Sequence, residues 1–337
     1  MKGKPEPSPD LIFDMLTAYQ KAAAVKAAID LNLFTGLADG TCTAEELAKF
    51  CAAAPRGIRI LCDHITVLGL LQKSSGKYGL TPDSAAFLNR KSPAYLGGAT
   101  DFLLSEHLTG AFSHLTDAVR KGGTAEPKQG SVTPEHPMWV TFARAMGGIM
   151  KRGAEGLADL LALDARPQAK VLDVAAGHGV WGIAVARKYP EAQVVALDWA
   201  PVLKVALENA RAAGIANRFT TISGSAFDAD LGTGYDAVLI PNFLHHFNPA
   251  DCVRFLKKTH AALRPGGKVA IVEFVPNPDR ITPPQAAGFS LVMLATTPEG
   301  DAYTFDEYAA MLAQAGFHAP DAHSLPGSVN QALIAVK

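Results

Sequence analysis

Two hydrophobic rhythms divide this chain. Up to about residue 163 apolar positions return every three or four residues, and from residue 169 they gather into short unbroken runs between amphipathic stretches. Within 11–38, Leu11, Met15, Ala18, Ala22, Val25, Ile29 and Leu33 share one wide face, which predicts a single amphipathic helix. Thr43 and Glu46 have capping-box spacing, so a second helix starts there. Pro55 opens a third, PRGIRILCDHITVLGLL. Leu70 and Leu71, followed by QKSSGKYGLTP, read as a hairpin with Gly76 in its turn. Helix, helix, hairpin is the winged-helix order. Further helices are expected over 94–118 and 137–163, joined by the loop KGGTAEPKQGSVTPEHP.

The later runs, KVLDVA, QVVALDW, FTTISG, YDAVLIPN and KVAIVEFV, alternate with helical stretches. That order predicts an α/β domain, Rossmann-like, whose mostly parallel sheet is covered on both faces and binds ligands at the carboxyl ends of its strands. The sharpest segment is VLDVAAGHGVWG. Glycine suits its turn because a Cβ would block both the tight backbone and the approach of a ligand to the following helix. Asp198 ends the next strand, 19 residues past Gly179, where a carboxylate can accept ribose hydroxyls. Gly177, Gly179 and Gly182 also satisfy G-x-G-x-x-G, so a dinucleotide-dependent dehydrogenase stands as an alternative. Two features pull away from it: Asp173 inside the first strand, and the Pro265-Gly266 turn that introduces KVAIVEFV.

Composition narrows the partners. The 337 residues suggest about two domains. With 31 Lys and Arg against 32 Asp and Glu there is no field to concentrate a polyanion. Arg56 and Arg59 are the only fixed cations in the third helix, and Asp63 offsets one, so the winged-helix module reads as a dimerisation element and nucleic acid as no partner. A regulator that senses a ligand and binds DNA is the weaker alternative. Cys42, Cys51, Cys62 and Cys252 form no paired motif and suit a reducing cytoplasm. No apolar leader precedes the first helix and no run approaches membrane-spanning length, so no membrane association is expected.

The order DVAAGHG, LDW, YDAVLIPN and LRPGGKV, closed by QALIAVK, resembles class I S-adenosylmethionine-dependent methyltransferases. More narrowly it resembles the O-methyltransferases of plant caffeate and flavonoid metabolism and of bacterial natural products, over nearly the whole chain from residue 11. The resemblance implies a homodimer formed through an N-terminal winged-helix-like domain at 1–100, linking helices that line the substrate pocket at 101–155, and a seven-stranded cofactor domain at 156–337. It implies S-adenosylmethionine as cofactor, S-adenosylhomocysteine as product, and methyl transfer to a hydroxyl of a small aromatic or polyketide-like molecule. Transfer to carbon or nitrogen on the same scaffold remains an alternative.

The resemblance also assigns residues. A phenol is mostly protonated at neutral pH, so a base is useful. The family's L-H-D-W segment falls on LHHF, which puts the base at His245 and a further substrate contact at His246. Glu273 matches the carboxylate that orients the base. The second orienting Glu of the family is replaced by Ala302, with Asp301 or Glu299 as candidates to compensate. Asp173 and the backbone at Ala175, Gly177 and Gly179 would hold the methionine part, and Asp198 the ribose. Trp199, Ser225, Ala226 and Phe227 would surround the adenine, and Asn242 would complete the cofactor set. Leu103, Leu108, Met138, Phe142, Met146, Val292 and Met293 would line an apolar acceptor pocket. No Asp, Asn and His grouping suggests a catalytic Mg²⁺, so no metal is expected.

Overall fold

A computed structural model describes residues 7–127, 129–166 and 168–337. The opening MKGKPE, read above as no apolar leader, lies outside the described residues, as do Lys128 of the expected loop and Pro167. The chain forms two compact units that meet in sequence between Leu104 and Ser105.

In the smaller unit the single helix expected over 11–38 is three: α1 (Asp10–Leu16), α2 (Ala18–Asp30) and α3 (Leu33–Gly36). The first break is at Thr17, whose hydroxyl donates to the Phe13 carbonyl at 2.8 Å, a back-bond that competes with helix continuation. The second is at Asn32, which takes a left-handed conformation (φ 57°) that Asn tolerates better than most residues. Among its residues α1 buries none, leaving Leu11, Ile12, Phe13, Met15 and Leu16 between 60 and 70% exposed. α4 (Ala44–Phe50) begins with the expected capping box, and α5 (Pro55–Val67) with Pro55 in its first turn. The hairpin β1 (Leu71–Ser74) and β2 (Lys77–Leu80) turns through Ser75 and Gly76, both at positive φ as a two-residue hairpin turn requires. Leu33, Phe34, Leu47, Ile58, Cys62, Ile65 and Tyr78 form the core of this unit. Asp63 binds Arg59, Lys73 and the Tyr78 hydroxyl, so Arg59 and Lys73 are neutralised locally. α6 (Pro82–Phe87) and α7 (Thr100–Leu103) complete the unit.

The larger unit opens with α8 (Glu106–Ser113), α9 (Leu115–Lys121), α10 (Met138–Ala145) and α11 (Gly147–Leu161). The helix expected over 94–118 is thus interrupted, because Ser105 caps a new start by accepting from Leu108 N–H. That over 137–163 is interrupted at Met146. Ala154, Leu157 and Leu161 of α11 share a core with Trp181 and Val185.

The sheet contains β3 (Lys170–Val174), β4 (Gln193–Asp198), β5 (Phe219–Ser223), β6 (Tyr235–Pro241), β7 (Leu263–Glu273), β8 (His318–Ser324) and β9 (Gln331–Val336), in the order β5-β4-β3-β6-β7-β9-β8. β3 to β7 run parallel and β9 runs antiparallel to both its neighbours. α12 (Val180–Lys188), α13 (Ala200–Ala212), α14 (Pro249–Ala262), α15 (Pro284–Thr296) and α16 (Phe305–Gln314) intervene. Leu172, Val238 and Ile271 face a core with Phe255, Leu256 and Tyr308, while Val171, Leu239 and Val272 face Trp181 and Leu157 on the other side. Burial on both faces is why these strands read as unbroken apolar runs. Leu263–Gly267, expected as a turn before the last crossover strand, is drawn into β7, and Gly266 keeps the positive φ (71°) of that turn. Among the described residues no helix is long and apolar enough to cross a membrane.

Candidate active site

The turn after β3 is built from left-handed residues. Ala175, Gly177 and Gly179 have φ of 48°, 57° and 74°, which reverses the chain so that the amino end of α12 stands at the carboxyl edge of the sheet. Gly182, the last glycine of the fingerprint, serves packing instead, since a Cβ there would lie 2.7 Å from Val194 Cγ1. Its N–H donates to Asp173 Oδ2 at 2.9 Å, while Asp173 Oδ1, fully buried, has no hydrogen-bond partner among the described residues. Burial pushes this carboxyl up to about 8, with Asp198 reinforcing the shift and the Gly182 bond opposing it. Asp198 accepts from Gly177 N–H at 2.8 Å and from Trp199 N–H at 2.7 Å, and burial raises it to about 6.

A glycine cradle, one carboxylate at the strand end and one buried acceptor left without a donor suit a nucleoside-bearing cation such as S-adenosylmethionine, so the residues present fit that group. The other expected adenine contacts have packing roles of their own. Trp199 packs with Ala143, Val202 and Val205. Phe227 joins Phe243, Phe247 and Phe255, while Ser225 Oγ accepts from Phe227 N–H and the Ala226 carbonyl accepts from Lys258. Asn242, at positive φ, accepts from Asn330 Nδ2 at 3.0 Å.

The 3₁₀ turn Leu244–His246 follows β6 and faces the end of β7, where Glu273 is fully buried. One carboxylate oxygen accepts from the backbone N–H groups of Phe243, Leu244 and His245 at 3.0, 2.9 and 3.3 Å; the other meets His245 Nδ1. A single side chain therefore holds both the loop and the imidazole. His245 is 3% exposed and Nδ1 is committed to Glu273, while no hydrogen bond is made by Nε2 among the described residues. Neither suggested replacement for the second orienting carboxylate reaches His245: Asp301 pairs with Arg280, and Glu299 accepts from Asn248. A Cβ on Gly300 would come within 2.3 Å of the His245 carbonyl, so the 297–302 loop lies directly on the histidine segment.

Aromatic rings surround the pair. Phe289 meets His245 edge-on at 4.8 Å and stacks on Phe274 at 3.8 Å; Trp139 meets both His246, at 5.2 Å, and Phe142. Phe142 stacks on His178 and lies 3.5 Å from where a Gly177 Cβ would stand, which joins α10 to the glycine turn. His178 is buried, accepts from Val180 N–H, meets Met150 Sδ at 3.1 Å and is pushed down to about 4 by burial, so it is neutral. Met138 and Met293 are buried, and Leu108, Phe142, Met146 and Val292 are half-buried. Leu103 belongs to the smaller unit and is 50% exposed. Sequence reasoning missed Phe289 and Trp139, although Phe289 lies three and four residues before Val292 and Met293, on the same helical face. Among the described residues no group of His, Cys, Asp and Glu is arranged to hold a metal ion.

Residues 112–318 match an O-methyltransferase domain, and residues 13–90 match an O-methyltransferase dimerisation domain. The chain is 31% identical to 3-hydroxy-5-methyl-1-naphthoate 3-O-methyltransferase of Streptomyces sahachiroi, over 91% of this chain and 89% of the relative. It is 29% identical to acetylserotonin O-methyltransferase of Mus musculus, over 91% of this chain and 83% of that one. A crystal structure of a candidate O-methyltransferase from Nostoc punctiforme PCC 73102 superposes with a TM-score of 0.95 at 51% identity, covering 98% of this chain and all of the other. The G-x-G-x-x-G match thus marks a methyltransferase turn rather than a dehydrogenase. The domain match spans more than half of the chain, and with the 31% identical relative it shows that this protein belongs to the O-methyltransferase family, with that family's dimerisation domain preceding the O-methyltransferase domain.

Proposed function

We propose that this O-methyltransferase uses S-adenosylmethionine to methylate a hydroxyl of a small aromatic or polyketide-like acceptor, with His245 as general base, and releases S-adenosylhomocysteine. The observation that carries the reading is the buried His245–Glu273 pair. With Glu273 accepting from Nδ1–H, the imidazole keeps its lone pair on Nε2, the atom free to take the acceptor's hydroxyl proton. When bound, S-adenosylmethionine supplies an electrophilic methyl carbon, which the phenolate oxygen attacks in line. A base so placed contributes about 10²- to 10⁴-fold.

In this reading Asp173 and the turn at Ala175, Gly177 and Gly179 hold the methionine part of the cofactor, Asp198 the ribose, and Trp199, Ser225, Ala226, Phe227 and Asn242 the remainder. Leu108, Met138, Phe142, Met146, Val292, Met293 and His246 contact the acceptor. Residues 1–100 serve dimerisation, 101–155 carry acceptor-contacting helices and 156–337 bind the cofactor. The aromatic surroundings of His245 and the naphthoate relative support an aromatic acceptor. Four unpaired cysteines support a cytoplasmic setting, and the ion pairs on Asp63 support a module that does not bind nucleic acid.

Labelled S-adenosylmethionine with a panel of phenols, hydroxyquinones and carboxylates, run on wild type and His245→Ala, tests the chemistry. Methylation of a phenolic oxygen and a loss of 100-fold or more in the variant are expected, by the size of a base contribution. Full turnover by the variant at neutral pH would end the proposal. The bare apolar face of α1 supports a homodimer through the smaller unit. A dimer by light scattering, with Phe13→Asp combined with Leu16→Asp giving a monomer, is the expected result; a monomeric wild type contradicts it.

A further inference from the structure

The two adjacent histidines are not equivalent. His245 spends Nδ1 on Glu273, whereas His246 makes no side-chain hydrogen bond at all among the described residues, and its Nδ1 is buried. A buried polar atom without a partner is uncommon and costly unless something else supplies the bond. The ring is also held in place. Trp139 abuts it edge-on at 5.2 Å (78°), Phe247 lies at 6.2 Å, and the backbone of the turn is pinned by the Glu273 bonds and by Gly300, whose Cβ would come within 3.0 Å of the His246 carbonyl carbon. Its centroid is 4.2 Å from that of His245, close enough for two oxygens on neighbouring ring carbons each to meet one imidazole.

We propose that His246 is a specificity-determining residue that hydrogen-bonds a second, uncharged oxygen, hydroxyl or carbonyl, on the ring carbon next to the one bearing the methylated hydroxyl. The inference rests on the reading above, in which His245 meets the reacting hydroxyl. Uncharged oxygen is specified because burial first, and the neighbouring His245 second, push His246 well below the usual histidine range, so it stays neutral and offers one N–H and one lone pair. A neutral imidazole matches a hydroxyl or carbonyl in either direction, but gives a carboxylate no countercharge.

Three probes that differ at one position separate the possibilities: 2-naphthol, 2,3-dihydroxynaphthalene and 3-hydroxy-2-naphthoate. In wild type, kcat/KM for the diol should exceed that for 2-naphthol by tenfold or more after allowing for its two equivalent hydroxyls, about 1.4 kcal/mol, and the carboxylate should gain no such advantage. His246→Phe keeps an aromatic ring against Trp139 and removes both nitrogens. It should bring kcat/KM for the diol to within about threefold of that for 2-naphthol, a selective loss that a general loss of packing, which lowers both alike, would not produce. A wild type without preference for the diol, or a preference that survives in His246→Phe, overturns the proposal. If none of the three is methylated, the catalytic reading fails, and the same ratio is then read from calorimetric Kd values in the presence of S-adenosylhomocysteine. A diol preference that depends on His246 sustains the proposal there, and equal or absent binding ends it.

Discussion

Replacing Glu273 by Gln is the most telling perturbation of this site, because it changes one oxygen to an NH₂ group without changing shape. Three backbone N–H groups point at Oε1 and the imidazole Nδ1 meets Oε2. A glutamine must turn its carbonyl oxygen to the three amides, since the reverse would set donors against donors. Its NH₂ then faces His245 Nδ1, which is compelled to accept, and the imidazole proton moves to Nε2. The base loses the lone pair it needs, so kcat should fall by the whole contribution of general-base catalysis, about 10²- to 10⁴-fold, or about 2.7–5.4 kcal/mol of barrier. Stability should fall as well. Exchanging a charged for a neutral acceptor at three amides costs about 1 kcal/mol each, so about 3 kcal/mol in total. The assay is kcat against pH for both proteins with one accepted phenol, alongside thermal unfolding with saturating S-adenosylhomocysteine. A variant that melts earlier but turns over within threefold of wild type would refute the role of the pair and reduce Glu273 to a loop anchor.

Gly300→Ala should lower kcat by about tenfold, the scale on which misplacing a catalytic group is felt, with a smaller effect on KM, because the added Cβ would stand 2.3 Å from the His245 carbonyl and displace the turn; steady-state kinetics that show only a KM change would contradict this. For Asp173, the folded carboxyl holds its proton up to about pH 8, whereas the unfolded one loses it near the ordinary value, so stability of the ligand-free protein falls as pH rises toward 8. The neutral His178 has the opposite slope, but only up to its unfolded pKa of about 6.5. Between about pH 6.5 and 8 the loss due to Asp173 approaches 1.4 kcal/mol per pH unit, and Asp173→Asn should flatten it in denaturant titrations. An unchanged slope in the variant would show that another group is responsible.

Much of the architecture was legible because it is written in local pattern. Thr43 with Glu46 and the Ser75–Gly76 turn need only near neighbours, and the unbroken apolar runs follow from strands covered on both faces. The segment 11–38 is periodic as one helix yet folds as three, because its apolar face continues through Thr17 and Asn32, where a back-bonding hydroxyl and a left-handed residue interrupt the backbone but not the periodicity. Family motifs led to His245 and Glu273, yet the absent second carboxylate suggested a gap to be filled by Asp301 or Glu299. Both are engaged elsewhere, with Arg280 and Asn248.

By itself the sequence determined a helical module ending in a hairpin, followed by a mostly parallel α/β sheet, a glycine turn with a carboxylate at the end of the next strand, and a histidine after the fourth strand of that domain. These depend on residues close together in the chain. Tertiary structure decided everything that joins distant segments: that Glu273 closes three amides of a turn some thirty residues away, that Phe289 and Trp139 flank the two histidines, that Gly300 presses on their backbone, and that the His246 ring is left without a hydrogen bond among the described residues. The physical reason is that hydrogen-bond satisfaction and burial belong to the assembled site, where each polar group competes for partners that its own neighbours in sequence do not provide.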